Sequence, residues 1–236
     1  MEPYFIFKGK NSKDMGVLIS AMPDIVKPKR REDEITIPGR NGVLTIDEGC
    51  YEAYALSVEC GKRGTERLGE IVAWLDGSGD LILSTEPDKV YRARISNAIS
   101  ISDVIYLYNS FLVQFKVFPF KYSVNKADEE RTLTAKEGEI VTIYNQGTVY
   151  SEPIITIYRP WGGGVTLTIN GVNYTLTHVD EYVTINSEIQ EVYKDSMNKN
   201  NSFLAMEFPV FKVGANTISW TGNTTRVEIK PNWRWL

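Results

Sequence analysis

Histidine occurs once in the sequence, at His178, and cysteine twice, at Cys50 and Cys60. A Ser-His-Asp or Cys-His device would have to be built around His178. Asp180 and Glu181 lie close by, but neighbours in sequence do not make a triad. Zinc sites of the usual ligand types need more cysteine and histidine than this chain holds, so no metal or cofactor is expected. On one extended strand the two cysteines would lie roughly 33 Å apart. A disulfide needs Cα atoms within about 7 Å, so reduced structural thiols are expected, as in a cytoplasm.

Long apolar runs are also missing. Tyr4-Phe5-Ile6-Phe7 ends at Lys8, which is too short for the apolar region of a signal peptide, and nothing approaches a membrane span. Synthesis in the cytosol, with no signal peptide and no membrane partner, is the expectation. No excess of one charge stands out: residues 1–122 carry 16 basic and 17 acidic side chains, and the formal net charge is -4. The basic run from Lys27 to Arg31 meets Glu32, Asp33 and Glu34 at once, which would repel a phosphate backbone. Sequence-specific nucleic-acid binding is not expected. The glycines at 162–164 lack the Gly-Lys-Ser/Thr ending of a phosphate loop. Two carboxylates suffice for glycoside hydrolysis, yet among 30 acids no spacing singles out a pair.

What is present is mainly β pattern. Tyr91, Ala93 and Ile95 share one face against Arg92 and Arg94, and Phe111, Val113, Phe115 and Val117 alternate in the same way until Pro119, which marks the strand's end. Leu68, Ile71, Val72 and Leu75 fall on one helical stripe, predicting one short helix near 65–76 with Thr65 as N-cap, Gly77 as stop and Trp74 at the stripe's edge. Pro38, Gly39, Arg40, Asn41 and Gly42 form a dense turn between two short strands. It is either an ordinary surface turn or the tip of a hairpin standing out from the body.

Residues 123–138 are charged and poor in aliphatics, a linker or the first edge strand of a second domain. The predicted organisation is therefore 1–122, a joint, and 139–236. In the second part Val165–Ile169 and Val172–Leu176 flank Asn170-Gly171, the signature of a two-residue type I′ hairpin. That register pairs Ile169 with Val172, Leu167 with Tyr174 and Val165 with Leu176, placing the apolar side chains on one face. Further strands are expected at Tyr182–Ile185, around Ile189–Tyr193, and at Phe208–Val213, Asn216–Trp220 and Arg226–Lys230, suggesting a jelly-roll or similar sandwich. Trp161, ahead of the three glycines, is either an aromatic platform for a sugar ring or a packing residue beside an exposed loop.

Read in order, several stretches resemble the distal tail protein family of long-tailed bacteriophages. They are Asp14-Met-Gly-Val-Leu-Ile, Ile37-Pro-Gly-Arg-Asn-Gly, Ile71-Val-Ala-Trp-Leu, Gly79-Asp-Leu-Ile-Leu, Asp88-Lys-Val-Tyr-Arg-Ala and Phe115-Lys-Val-Phe-Pro-Phe. Asn145-Gln-Gly, Ser151-Glu-Pro-Ile-Ile, Val183-Thr-Ile-Asn, Val213-Gly-Ala-Asn-Thr-Ile and Pro231-Asn-Trp-Arg-Trp continue the series. The resemblance implies a mainly β protein with an N-terminal β-sandwich-type ring-forming domain and a C-terminal galectin-like jelly-roll sandwich. It implies a virion or prophage structural protein, a six-membered homo-oligomeric ring at the tail end. Such a ring joins the tail tube protein to tail-tip, tail-associated lysin or receptor-binding proteins and leaves a channel for DNA. Trp74 and Pro38–Gly42 are the candidates for contacts between copies. A carbohydrate-binding module attaching to the host surface is the competing expectation.

Overall fold

The computed structural model describes residues 2–64, 66–95, 97–99, 102–105 and 108–236. Two compact units divide it, Val124 closing the first and Asn125 opening the second.

In the first unit the period-two segments become β1 (Phe5–Phe7), β2 (Lys10–Asn11), β3 (Val17–Ala21), β4 (Arg30–Thr36), β5 (Val43–Tyr51), β6 (Tyr54–Arg63), β7 (Gly77–Leu83), β8 (Lys89–Ile95), β9 (Ser102–Ile105) and β10 (Tyr108–Ser123). The main sheet is antiparallel in the order β2-β1-β7-β8-β10-β6-β3, with β9 beside β10. Phe111, Val113, Phe115 and Val117 all point into its core, as do Tyr91, Ala93 and Ile95. Strand β10 does not stop at Pro119. It runs on to Ser123, and the proline sits where the pairing with β8 shifts register, between Val117 and Lys121. A missing N–H costs nothing at such an irregularity.

Helix α1 (Leu68–Trp74) packs on this core. The predicted cap, Thr65, lies outside the described residues. The residue before the helix is Arg67, in the left-handed region at φ 62°, and its guanidinium bonds Glu70 at 2.9 Å. Gly77, at φ 74°, opens β7 just beyond the helix, a conformation glycine adopts without strain. The buried face is not the expected stripe: Ile71, Trp74 and Leu75 are buried and Val72 is exposed. Lys121, 3% exposed, is held by both oxygens of Glu86 at 2.8 and 3.0 Å. Tyr91 donates to the same carboxylate. The polar groups brought indoors by β8 and β10 are thereby paired.

Cys50 and Cys60 lie on separate strands, β5 and β6, and both are free thiols. Burial pushes the Cys60 thiol up to about 12, which keeps it protonated and unreactive.

The second unit begins with a single helical turn, α2 (Lys126–Glu129), and then β11 (Arg131–Leu133), the edge strand of a new sheet. There follow β12 (Val141–Asn145), β13 (Ile154–Ile169), β14 (Val172–Asn186), β15 (Glu191–Lys194), β16 (Met197–Asn198), β17 (Phe203–Leu204), β18 (Gly214–Thr221) and β19 (Arg226–Lys230). The order is β11-β19-β13-β14-β15-β16, with β18 joining β13, β12 beyond it on β18, and β17 joining β14. The two long strands serve both layers of this sandwich. β13 pairs with β19 through Ile154–Tyr158 and with β18 through Thr166–Ile169, and the register slips between Arg159 and Val165.

The Asn-Gly hairpin has the predicted register, Ile169 to Val172, Leu167 to Tyr174 and Val165 to Leu176. Asn170 at φ 51° and Gly171 at φ 82° supply the two positive angles of a type I′ turn. Val172 alone of the apolar set is exposed, because it overhangs the core at the tip. The expected strand at Phe208–Val213 does not form. Pro209 lacks a donor, and only Phe211 pairs, in an isolated bridge to Ser151.

Two buried asparagines explain the polar positions inside this sandwich. Asn145 donates to the carbonyls of Val149 and Phe211 and accepts from the Gly147 amide. Asn216 donates to the carbonyls of Lys212 and Gly214 and accepts from the Lys212 amide and the Asn170 side chain, each within 2.9 Å. Irregular chain is thus tied to the core with its backbone groups satisfied.

Candidate functional site

β4 and β5 form a two-stranded sheet of their own, paired to no other strand among the described residues. Ile35 faces Leu44, and Asp33 faces Ile46. Alternation therefore puts Ile35, Leu44 and Ile46, with Asp33, on one side of the ribbon and Glu32, Glu34, Thr36, Val43, Thr45 and Asp47 on the other. All three aliphatics are exposed, at 40–47%. Gly39 and Gly42, at φ 79° and 80°, close the tip, where the Arg40 amide donates to the Ile37 carbonyl at 3.1 Å.

The base of the ribbon is fastened down. Arg30 bonds Asp47 and lies over the Tyr51 ring, and Tyr51 meets Phe120 edge-on at 5.7 Å. The Gly49 amide, aided by Arg30, holds the Asp47 carboxyl below its usual range. Arg31 pairs with Glu48, so two cations of the basic run serve the hairpin. An isolated ribbon of this kind is marginal in water, and its apolar side calls for a cover.

The other predicted contact residue is placed differently. Trp74 is 5% exposed, stacked on Phe5 with ring centroids 5.4 Å apart and planes 6° from parallel. Its indole N–H donates to the Phe7 carbonyl at 2.8 Å. A side chain used this fully inside its own unit has no face to offer a neighbour, so Trp74 is a core residue. The hydrophobic spacing had located the helix but not the rotation at which it docks.

Trp161 is 73% exposed, at the point where β13 slips register. The glycines after it are part of β13 rather than a loose loop. Arg159 secures them, donating to the carbonyls of Trp161 at 2.6 Å, of Gly164 at 2.5 Å and of Gly222. Glu137 accepts from the Gly222 and Asn223 amides, which holds its carboxyl below the usual range, with Arg159 adding a smaller effect. His178 is exposed on β14 with its ring against the Gly162 backbone: a Cβ there would lie 2.9 Å from the imidazole Cε1. Among the described residues no cluster of three His, Cys, Asp or Glu side chains could hold a metal, and no helix is long and apolar enough to cross a membrane.

These features define a two-unit, mainly β protein carrying one free ribbon and one displayed tryptophan. No protein-family model and no curated protein sequence matches the chain. Solved structures do. The Dit protein of phage SPP1, described as a paradigm of the hub adsorption apparatus in phages infecting Gram-positive bacteria, superposes with a TM-score of 0.77 at 16% identity, covering 100% of both chains. A chain of the phage P2 baseplate in its activated conformation with calcium gives 0.50 at 10% identity over 97% of each. The fold is the Dit fold from end to end.

Proposed function

We propose that this protein is a structural hub at the distal end of a phage tail, acting by assembly and not by catalysis. In this reading copies close into a six-membered ring that joins the tail tube protein to tail-tip, lysin or receptor-binding proteins, with a central channel for DNA. The observation that carries the proposal is the β4–β5 ribbon, whose apolar side is uncovered in a single chain. A ring needs a head-to-tail contact in which one surface of each copy meets a different surface of the next. A projecting ribbon is suited to be one half of that contact. The whole-length match to the SPP1 Dit protein supports the location at the tail. A non-catalytic role agrees with a single histidine that is exposed and, among the described residues, bonded to no acid.

Light scattering with negative-stain imaging, alone and with a tail tube protein, tests this. Six-fold particles of six times the 26.7 kDa chain mass are expected. A strict monomer under both conditions would remove the ring. Release of sugars from host envelope, lost on changing one carboxylate, would remove the non-catalytic claim.

A further inference from the structure

The surface around Trp161 is not used by the ribbon or by either core. We infer that it is a binding site for a neutral glycan, with the indole as stacking platform and the pocket beside it as the hydroxyl-reading part.

The pocket, of about 80 Å³, is lined by His178, Asp180, Tyr182, Lys194, Met197 and Lys199 together with the backbone they flank. Because His178 rests on Gly162, the pocket adjoins the residue following Trp161. His178 and Asp180 leave β14 on the same side, with Val179 buried between them. Glu181, in the left-handed region at φ 61°, then breaks the alternation, so Tyr182 also borders the same hollow. Lys194 is engaged: its ammonium bonds the Glu181 carboxylate at 2.8 Å and the Asp180 carbonyl at 2.9 Å. Tyr182 donates to Asp195. Among the described residues, the Trp161 indole N–H, the His178 ring, the Asp180 carboxylate and the Lys199 ammonium have no hydrogen-bond partner. Donors and acceptors without partners thus line a hollow that adjoins the segment carrying the exposed Trp161.

Three physical points select the ligand class. A pyranose presents an apolar C–H face to an indole and hydroxyls, each both donor and acceptor, at its edge, matching this mixture. Arg159, Lys194 and Lys199 are matched by Asp180, Glu181 and Asp195, so there is no net positive field to draw a polymer of phosphates. A protein partner would need a rim of well-packed side chains excluding water around the tryptophan. Trp161 is instead followed by three glycines, with Arg159 and His178 against them. Fastening by Arg159 and Glu137 means the platform is ordered before the ligand arrives, which lowers the entropic cost of binding.

The test is an array of neutral oligosaccharides of glucose, galactose and N-acetylglucosamine probed with the full-length protein, followed by calorimetric titration of the best binder. Trp161→Ala should weaken binding at least tenfold and Asp180→Asn severalfold, with circular dichroism and melting temperature unchanged, since both side chains are exposed. Absence of binding anywhere on the array would overturn the inference. So would unchanged affinity in Trp161→Ala, binding confined to phosphate-bearing polymers, or a complex in which a protein covers Trp161. Particle mass, followed in parallel by light scattering, reports on the ring separately, so either idea can fail alone.

Discussion

Replacing Trp74 with alanine removes the largest aromatic of helix α1 from its stack with Phe5, and the indole N–H from the Phe7 carbonyl. Truncating a buried tryptophan to alanine costs about 3–5 kcal/mol. Against a typical stability of roughly 5–15 kcal/mol, that is at least about a fifth of what holds such a unit together. With a urea slope of about 1–3 kcal/mol per molar, the transition of the first unit should move down by roughly 1–5 M. Trp74→Phe keeps an aromatic ring on Phe5 and loses the hydrogen bond, so it should cost only about 1–2 kcal/mol. Far-UV circular dichroism is the assay, because the other four tryptophans, at 161, 220, 233 and 235, all belong to the second unit and serve as an internal control by fluorescence. An unchanged midpoint in Trp74→Ala, together with loss of assembly, would refute the packing argument and return Trp74 to the surface.

Asn216→Ala should destabilise the second unit by about 1–3 kcal/mol, since it strands the Lys212 amide and two part-buried carbonyls. An effect below experimental error on the Trp220 fluorescence transition would show those groups to be otherwise satisfied. The Glu137 carboxyl is held below its ordinary 4.5 by the Gly222 and Asn223 amides. A depressed folded-state value contributes stability above the unfolded value that is lost as pH falls through the folded one. The melting-temperature gap between wild type and Glu137→Gln should therefore be constant at neutral pH and close as pH drops below about 4.5. A gap that persists or widens in acid contradicts the assignment.

Much of the fold was legible because the local rules agree with one another. Asn170-Gly171 allowed one turn, the turn set one register, and that register sorted Val165, Leu167 and Ile169 from the threonines between them. Trp74 was misread because helical spacing tells which residues share a stripe, and only the aromatic partner, Phe5 on a distant strand, decides how the helix is rotated. Pro119 was read as an end because the shifted pairing that absorbs it depends on β8. Phe208–Val213 has the composition of a strand, but its backbone groups are claimed by Asn145, Asn216 and Ser151. In the ribbon, the turn chemistry of Pro38–Gly42 was visible in advance. That its apolar side has no cover among the described residues is a long-range fact that no local pattern encodes.

The central claim, that the free ribbon is half of a contact between copies, is tested most directly by the particle mass of a variant with Ile35→Lys and Leu44→Glu, an opposite-charge pair across the two strands. Both side chains lie on the exposed apolar side, so the single chain should fold with an unchanged melting temperature. Light scattering should then find only monomers under conditions in which the wild type forms six-membered rings. Rings of undiminished mass and stability in the variant would contradict the account.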